Sequence, residues 1–583
     1  MIATIFAYWP ALSAGTIWDD DSYLTQNPLL DDLAGLVDIW IPGNTPQYYP
    51  AVFTTFWIEK QFFGLEPAGY HWVNVLLHAC NALLAWRLLT VLRIPGAWLA
   101  GALFALHPVH VESVAWITER KNVLSGLFYL AAALSYLRFD ERRENDHPLA
   151  RRQYVATFVL FLLALLAKTV TCSLPAVLIL VFLWRRQPLT RKRLAPLVPL
   201  FTLGLVLALH TAYQERVTVG ATGADFDLSF AERVLIASRA LLFYPGKLLA
   251  PVSLTFIYPR WQIDATEIAA FWPLAMVLVI GAWAYAGFRR GRRGPALALA
   301  YFAGTLVPAL GFFDVYPMRY SFVADHFQYL ASLGVFAFLS AILATHIPSH
   351  VATRMASVAL LAGLGALTWR QSTSYIDEET LWRTTLERNP GAWIAHNNLA
   401  TIMSERGEHA RALGHLSHAL PLTTSRDAVE RIRFNSATAL ANLGRLDEAL
   451  NLYRELQESG GGQLVRIAEV LELLGRDDEA EVSFQLALDS EERDGALMRY
   501  GWHLLRRERA GEAVPVMEEW VEGHPDDLDA QIFLADAYSA SGRRGDALRT
   551  HERALIRCRA LGNVPLIQLL DQRLAPFRGT DLR

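Results

Sequence analysis

The sequence has few cysteines, few charged residues and no excess of basic ones. Its three cysteines, Cys80, Cys172 and Cys558, are far apart and odd in number, so neither a disulfide framework nor a cysteine-based zinc site is expected. Charged residues are 19% of the 583-residue chain, whereas a soluble protein has about 25%. The net charge of -4 argues against nucleic-acid binding.

Hydrophobic residues dominate instead, at 53% of the chain, with a mean hydropathy of +0.22. This average combines two populations. Residues 1–370 are rich in Leu, Ala, Val, Phe and Trp, whereas residues 375–583 are rich in Glu, Arg, Asp and Ala. The sequence therefore predicts an all-α protein with a polytopic membrane domain over residues 1–370 and a helical domain over residues 371–583.

Candidate spans fill the membrane domain. A span needs roughly 20 apolar residues, with about 17 as the lower end. The candidate segments are 2–17, 70–92, 95–108, 120–138, 154–168, 170–184, 194–212, 271–288, 295–313, 327–344 and 353–369. The first lacks a basic leading segment and a small-residue cleavage motif, so we expect a retained helix rather than a removed signal peptide.

Basic loops indicate the orientation. Short loops rich in Lys and Arg stay cytoplasmic, and four lie at 87–93, 138–152, 185–193 and 289–293. Counting from them predicts about eleven spans, with the N-terminus inside and the C-terminus outside. The segment 234–250 is broken by charges and prolines, so we expect an interfacial or re-entrant helix. The outer side then receives residues 18–69, 108–120, Lys168, 213–270, 313–326 and everything after 370.

The C-terminal part repeats itself. Glycines at 407, 444, 475 and 542 are each followed five residues later by an alanine, and Ala513 continues the series with Glu508 in the glycine position. The alanine spacing of 31 to 37 residues is near the 34-residue period of tetratricopeptide (TPR) repeats. A TPR solenoid presents a concave surface that suits an extended peptide; a plain self-association scaffold is the structural alternative.

An acidic run, Asp19-Asp20-Asp21, opens the first outer loop. Charged groups near a membrane are costly and tend to be functional. A carboxylate here can act as general base on an acceptor hydroxyl or hold a divalent cation. The structural alternative is a solvated helix cap.

A second polar cluster contains His107, His110 and Glu112. Two histidines and a carboxylate can bind zinc, but Pro108 interrupts the helical spacing and no cysteine joins them. We therefore predict no metal site here and favour Glu112 as a second acid. A role for a divalent cation at the aspartates stays open.

Basic side chains in the outer loops suit a lipid-linked phosphate. The candidates for the donor phosphate are Arg120, Lys121, Lys168, Arg239, Lys247 and His326. Interfacial snorkelling is the alternative for the adjacent pair Arg120 and Lys121. Further site candidates are His71 and Asn74, on one face of the second span, and Asp325.

Three runs carry a resemblance to a known family. They are Trp18-Asp19-Asp20 with Asn27-Pro28 after it, Tyr48-Tyr49-Pro50 followed by Gly69-Tyr-His-Trp-Val-Asn-Val-Leu-Leu-His78, and Phe104-Ala-Leu-His-Pro-Val-His-Val-Glu-Ser-Val-Ala-Trp-Ile-Thr-Glu-Arg-Lys-Asn122. Together they resemble the transmembrane-and-TPR O-mannosyltransferases (the TMTC group) and their bacterial relatives, within the GT-C glycosyltransferases. The run from Ala324 to Gly334 resembles the bacterial branch.

The resemblance implies a glycosyltransferase that takes its sugar from a polyprenyl phosphate. By register with Asn27, Asp19 and Asp20 match the family's acidic pair and Asp21 is an additional acid; Asp20 is the preferred base and Asp19 the alternative. Glu112 lies where the second outer loop contributes its acid. The eukaryotic relatives have Arg where His326 stands, so this contact to the donor phosphate departs from the family pattern.

The expected partners are a polyprenyl-phosphate-linked sugar, membrane lipid, and a protein or peptide acceptor held by the TPR repeats. The expected location is the bacterial inner membrane, with the repeats in the periplasm. Two alternatives are a non-catalytic scaffold for envelope assembly and an enzyme similar to O-antigen ligases. The latter typically depend on a large late outer loop with Arg and His, which is not evident outside the repeats.

Overall fold

The computed structural model describes residues 1–346, 350–560 and 564–578, and within them it contains helices and turns but no strand. By their internal contacts the residues form two compact units, Met1–His396 and Asn397–Arg583. This boundary lies after the sequence-based boundary at residue 370, because one further helix packs with the first unit. Residues 561–563 and 579–583 of the predicted repeat domain lie outside the described part.

The first unit contains seventeen helices in its described part. They are α1 Ile2–Ala7, α2 Leu33–Asp38, α3 Pro50–Phe63, α4 Pro67–Val91, α5 Ala97–Leu106, α6 Val111–Ala115, α7 Arg120–Glu144, α8 Ala150–Ala167, α9 Leu174–Trp184, α10 Arg191–Leu194, α11 Val198–Val217, α12 Phe230–Leu249, α13 Trp272–Arg289, α14 Arg293–Leu306, α15 Ser332–His346, α16 His350–Ser372 and α17 Glu378–Arg388.

Five helical segments of the described chain are long and apolar enough to cross a membrane. They are Pro67–Val91, Arg120–Glu144, Ala150–Ala167, Arg191–Val217 and Ile268–Arg289. Three shorter apolar helices are Ala97–Leu106, Thr169–Trp184 and Ser332–His346. These eight match eight of the eleven segments predicted from sequence. The membrane character is therefore confirmed, and the count of eleven spans stays a prediction.

The basic loops gather at one end of the first unit. The indole Nε1 of Trp184 donates to the Leu92 carbonyl at 2.8 Å, and Arg293 donates to the Leu183 carbonyl at 2.7 Å. Arg143 donates to the carbonyl of Lys192 at 2.8 Å. The four loops that were predicted to share one side of the membrane thus contact one another.

The opposite end is marked by Lys168. The helical conformation is interrupted there between α8 and α9. Lys168 has an extended backbone (φ −163°, ψ 121°), and a 3-10 turn follows it. The Lys168 ammonium contacts Glu119, the residue before α7. Because the far ends of α8 and α9 lie at the basic loops, the two helices run in opposite directions, which agrees with the two passes that the charge pattern predicts.

The second unit is a stack of helix pairs joined by short turns. Its helices are α18 Trp393–Glu405, which begins at the boundary, α19 His409–Ala419, α20 Arg426–Asn442, α21 Leu446–Glu458, α22 Leu464–Leu473, α23 Asp477–Leu488, α24 Arg493–Arg506, α25 Ala510–Gly523, α26 Leu528–Ala540, α27 Arg544–Ala560 and α28 Val564–Arg578.

The repeat pattern explains these turns. The glycines that end the first helix of four repeats have positive φ, from 71° to 80°, a conformation that side chains disfavour. The alanines five residues later (Ala412, Ala449, Ala480, Ala513 and Ala547) are completely buried, so the two helices of each pair pack closely. The predicted helical repeat is confirmed.

Candidate active site

Asp20 joins the loop that follows α1 to the turn that precedes α7. Its Oδ2 accepts a hydrogen bond from the backbone N–H of Ile17 at 2.9 Å. Its Oδ1 accepts from the backbone N–H of Thr118 at 2.8 Å and from the Thr118 hydroxyl at 2.6 Å. Asp20 is completely buried, and both of its oxygens have protein donors.

Asp19 differs from its neighbour. It is half-buried, and its Oδ1 is enclosed without a hydrogen bond to any residue that the structure describes. Burial raises the pKa of Asp19 to about 6. Burial, together with the negative charge of Asp19, raises the pKa of Asp20 to about 7. Of the two adjacent aspartates Asp19 and Asp20, Asp19 is therefore the one whose carboxylate is not fully hydrogen-bonded, and the side chains of Thr118 and Trp116 lie beside it.

Two ammonium groups share one carboxylate beside Asp19. Glu119 is buried and contacts the Nζ of Lys168 at 3.0 Å and the Nζ of Lys121 at 3.3 Å. Burial alone would raise the pKa of Glu119, but the charges of Lys168 and Lys121 outweigh it and hold that pKa well below its usual range. Glu119 balances only one of these two positive charges, and Asp19 is the second carboxylate that faces Lys121.

Aromatic rings enclose the Lys121 ammonium. Its Nζ lies 5.0 Å from the ring centre of Tyr23, 5.7 Å from that of Trp116 and 6.0 Å from that of Tyr49. Each ring presents its electron-rich face to a cation. Tyr48-Tyr49-Pro50 and the Trp116 run, which carried the family resemblance, thus meet around one lysine.

A second cluster contains Glu112, His326 and Asp325. The His326 Nδ1 lies 2.8 Å from Glu112 Oε1, and the His326 backbone N–H donates to Glu112 Oε2 at 3.2 Å. The Tyr258 hydroxyl lies 3.1 Å from each oxygen of Asp325. Burial and the nearby charge of Glu112 raise the pKa of Asp325 well above its usual range.

Asn122 connects the two clusters. Its side-chain amide donates to Glu119 Oε2 at 2.6 Å and to the His326 carbonyl at 3.0 Å. The Trp116 ring lies edge-on to His326, with 5.9 Å between ring centres. The structure therefore brings together Asp19, Asp20, Glu112, Lys121, Lys168, Asp325 and His326.

Arg120 points away from this site. Its guanidinium forms a buried ion pair with Glu59 and also donates to Asn74, to the Thr55 hydroxyl and to the Tyr70 carbonyl. Asn74 in turn donates to the carbonyls of residues 116 and 117. Arg120 and Asn74 thus brace the turn that carries Thr118, and these contacts do not favour a phosphate role for Arg120.

The histidines predicted from sequence have partners within the helix bundle. His71 contacts the Gly15 carbonyl at 3.2 Å, and His107 contacts the Leu248 carbonyl at 3.1 Å. His110 contacts the Phe104 carbonyl and the hydroxyl of Ser332. No group of three or more His, Cys, Asp or Glu residues in the described chain is placed to hold a metal ion.

The remaining candidates lie at the margin. Asp21 is exposed and accepts from the Thr25 hydroxyl at 2.8 Å. Arg239 donates to the Gln262 carbonyl at 3.5 Å. Lys247 donates to the Val252 carbonyl at 2.9 Å and lies 5.0 Å from the Tyr258 ring centre, so it is near the second cluster.

Sequence reasoning missed three contributors. Thr118 and Glu119 lie in the run from Phe104 to Asn122. The acid directly before Arg120 and Lys121 was the signal that could have identified Glu119 as an ion-pair partner. Tyr258 lies alone in a loop between α12 and α13, and the local sequence gives no sign of its partner Asp325, which is 67 residues away.

Comparisons with known proteins agree with the resemblance. The chain is 25% identical over 428 residues to a protein O-mannosyl-transferase of Caenorhabditis elegans, covering 69% of this chain and 59% of that protein. It is 26% identical over 508 residues to human protein O-mannosyl-transferase TMTC1, covering 76% of this chain and 56% of that protein. A 98-residue stretch is 42% identical to protein O-mannosyl-transferase tmtc2 of Xenopus laevis, covering 16% of this chain and 12% of that protein.

A family model and two solved structures also match the chain. The model of the bacterial transcriptional activator domain matches residues 472–562. The TPR protein YrrB is 20% identical at a TM-score of 0.24 and covers 33% of this chain and 97% of its own. Yeast Tom70 is 14% identical at a TM-score of 0.30 and covers 87% of this chain and 96% of its own.

The chain spans less than two thirds of the length of the two relatives that it matches most extensively, 59% and 56%. Over most of its own length the chain is therefore homologous to protein O-mannosyl-transferases of the TMTC group.

Proposed function

We propose that this protein is a membrane glycosyltransferase that moves a sugar from a polyprenyl-phosphate donor to a hydroxyl group on a protein at the outer face of the membrane. The names of the homologues support sugar transfer to protein. The observation that carries the proposal is the Asp19 carboxylate, which has an oxygen without a hydrogen bond and lies beside Lys121, one of the two ammonium groups that share Glu119.

The proposed architecture is a GT-C-type membrane domain over residues 1–370, with about eleven spans, followed by TPR repeats over residues 371–583. The basic loops meet at one end of the first unit, which supports a cytoplasmic position for that end. Asp19 and Lys168 then face outward. In a bacterial inner membrane, the site and the repeats would lie on the periplasmic side.

The contacts favour Asp19, rather than Asp20, as the general base. Asp20 already accepts three hydrogen bonds, two of them from Thr118, so it holds the two outer loops together. The pKa of Asp19, about 6, suits a base that works near neutral pH, because it is ionised yet still takes a proton readily.

Lys121 and Lys168 suit the leaving phosphate. Glu119 neutralises one of the two ammonium charges, and the other becomes available when Asp19 takes up the acceptor's proton, so it can then stabilise negative charge that develops on the phosphate. His326 is the second candidate contact. Glu112 engages its Nδ1, which leaves the ring's Nε2 for the donor.

The reaction proceeds as one displacement. The acceptor oxygen attacks the anomeric carbon while its proton passes to Asp19, and the bond from that carbon to the phosphate oxygen breaks. The electron pair leaves with the polyprenyl phosphate next to Lys121 and Lys168. Attack from the face opposite the leaving group inverts the anomeric centre. The acceptor polypeptide is proposed to bind along the repeats.

Glycoproteomics of the host tests this function. A strain that lacks the gene is complemented with wild type, Asp19→Asn or Asp21→Asn, and hexose-modified envelope proteins are counted. We expect wild type and Asp21→Asn to restore the modification and Asp19→Asn to leave it absent, since amide replacement removes a base worth about 100- to 10,000-fold in rate. Equal restoration by Asp19→Asn, at equal protein level in the membrane, would exclude Asp19 as the base, and equal restoration by Asp19→Asn combined with Asp20→Asn would contradict the transferase proposal and favour a scaffold.

A further inference from the structure

Trp18, the residue directly before Asp19, has an unusual backbone conformation. Its φ is +51°, in the left-handed region that bulky side chains rarely adopt. Such conformations persist only where the surroundings enforce them, and they cluster at functional sites. Neighbouring residues must therefore hold Trp18, and with it the adjacent Asp19, in this conformation.

Three rings surround the Trp18 indole. Trp382 of α17 lies 4.8 Å from it, Phe256 lies 5.4 Å and Tyr320 lies 5.6 Å, between ring centres. We call these four residues the aromatic clamp. Trp382 is completely buried, and its indole Nε1 donates to Glu378 at 3.0 Å.

The clamp continues into the site. The Phe256 ring contacts both Trp382, at 5.5 Å, and Trp116, at 5.1 Å. Trp116 is the ring that lies against the Lys121 ammonium and beside His326. Two rings, Phe256 and Trp116, thus lie between Trp382 and the Lys121 ammonium, and one residue, Trp18, lies between Trp382 and the proposed base.

The C-terminal end of helix α17 is also bound to the rest of the first unit. Arg388 donates to the Leu254 carbonyl and to the Gln371 side chain. The Asn389 amide donates to the Ile257 carbonyl at 3.2 Å. The helix that the sequence assigned to the repeats therefore forms part of the wall around the first outer loop.

We propose that Trp382 is a positioning residue, which holds Trp18 in its left-handed conformation and thereby aims the Asp19 carboxylate into the site. The proposal rests on the proposed function, in which Asp19 is the base. Trp382 itself touches no reacting atom. Its contribution is geometric, and small misplacements of a reacting group reduce rates by about a hundredfold.

The kinetic test uses full-length protein in lipid nanodiscs, with polyprenyl-phosphate-mannose as donor and envelope protein from the strain lacking the gene as acceptor. For Trp382→Leu we expect kcat to fall about tenfold to a hundredfold, with little change in KM for donor or acceptor. Trp382→Phe should keep most of the activity, because a ring still packs on Trp18. The matched control is Trp184→Leu at the opposite end of the first unit, where the indole caps the Leu92 carbonyl; it should keep kcat.

A pH profile separates positioning from general damage. Asp19 faces Lys121, Glu119 and Asp20, and loosening the clamp admits water to it. Its pKa should then fall from about 6 toward the roughly 3.9 of a free aspartate, so the acid limb of kcat/KM should move to lower pH in Trp382→Leu. An unmoved acid limb together with an unchanged kcat would overturn the proposal.

A second variant covers the case in which Trp382→Leu fails to fold. Glycine adopts a positive φ freely, so Trp18→Gly should fold while losing the ring that Trp382 holds, and its kcat and acid limb should change in the same direction. Wild-type kinetics in a folded Trp18→Gly would refute positioning through the clamp. If Asp19→Asn is inactive while both tryptophan variants are normal, the proposed function stands and this inference fails.

Discussion

The two units use the same ion-pair chemistry in opposite surroundings. In the first unit, Arg120 and Glu59 pair with side chains that are 0% and 10% exposed. In the second, Arg445 and Glu448 pair with side chains that are 48% and 57% exposed. A buried charge without its partner is costly, whereas an exposed pair contributes little. The buried charges of the first unit are therefore expected to matter more for stability and function than the exposed charges of the second.

The exposed pairs of the second unit come from the repeat. In four of the five repeats an arginine follows the turn residue, and an acid stands three residues later, in the first turn of the second helix; after Gly407 the order is reversed, with Glu408 before Arg411. These pairs are Arg445–Glu448, Arg476–Glu479, Arg509–Glu512 and Arg543–Asp546. An acid at that position also complements the helix dipole. Their regularity records the period of the repeat and implies no binding site.

Removing one arginine from each unit tests this contrast most strongly. Arg120→Ala leaves Glu59 buried without its partner and should destabilise the first unit by about 3–5 kcal/mol. Arg445→Ala should give no measurable change, because its pair is solvent-screened. Thermal unfolding of the detergent-solubilised protein measures both.

A double variant identifies the cause. Arg120→Met combined with Glu59→Leu removes both charges, so it should recover most of the stability that Arg120→Ala loses. If the double variant is as unstable as Arg120→Ala, the loss comes from the bonds to Asn74 and the Tyr70 carbonyl rather than from an unpaired charge.

Adjacent residues in the site explain how much could be predicted from sequence. The third run placed Glu112, Arg120 and Lys121 on one side of the membrane, and the structure brings Glu112 and Lys121 to one site. The sequence alone could not show that Arg120 points away from the site, because successive residues of a helix point about 100° apart. Lys121 faces the aromatic rings, while Arg120 faces Glu59.

The aspartate pair shows the same limit. The acidic run was visible in sequence, but the choice between Asp19 and Asp20 depends on Thr118, whose hydroxyl and N–H bind Asp20 from 98 residues away. Apolar helices and repeats follow from local periodicity, and eight predicted spans and the repeats match helices of the structure. Contacts between distant loops leave no signal in the local sequence. The contact between the rings of Trp382 and Trp18 joins residues that are far apart in the sequence and could not be predicted.

Proton binding at Asp19 should give the next largest effect, a change of stability and of reaction rate with pH. Its pKa is about 6, above the roughly 3.9 of an unfolded aspartate, so the folded state binds this proton more tightly. Its stabilising contribution is complete below about pH 4 and is lost as pH rises through about 6. Catalysis has the opposite trend, because the base must be ionised.

We therefore expect kcat/KM to increase as pH increases through about 6, by about tenfold per pH unit below it. The melting temperature of the first unit should fall over the same interval, and Asp19→Asn should reduce that fall. Asp21→Asn, in an exposed side chain, should leave both profiles unchanged. A flat rate profile between pH 5 and 7 would exclude Asp19 as the base.

The smallest effect is expected at Glu508, where the repeat departs from its own pattern. Glu508 has φ +60° at the position where the neighbouring repeats have Gly475 (φ 71°) and Gly542 (φ 80°). A side chain in this conformation costs about 1 kcal/mol, partly offset because glycine loses more entropy on folding. Glu508→Gly should therefore raise the unfolding free energy of the second unit by up to about 1 kcal/mol. Gly475→Ala is the mirror-image control: an added Cβ meets no atom within 4 Å there, so the loss that we expect is purely conformational. If Glu508→Gly stabilises nothing while Gly475→Ala destabilises, the glutamate side chain makes a compensating contribution, and the second unit then also contains a charge that is more than a solvated surface group.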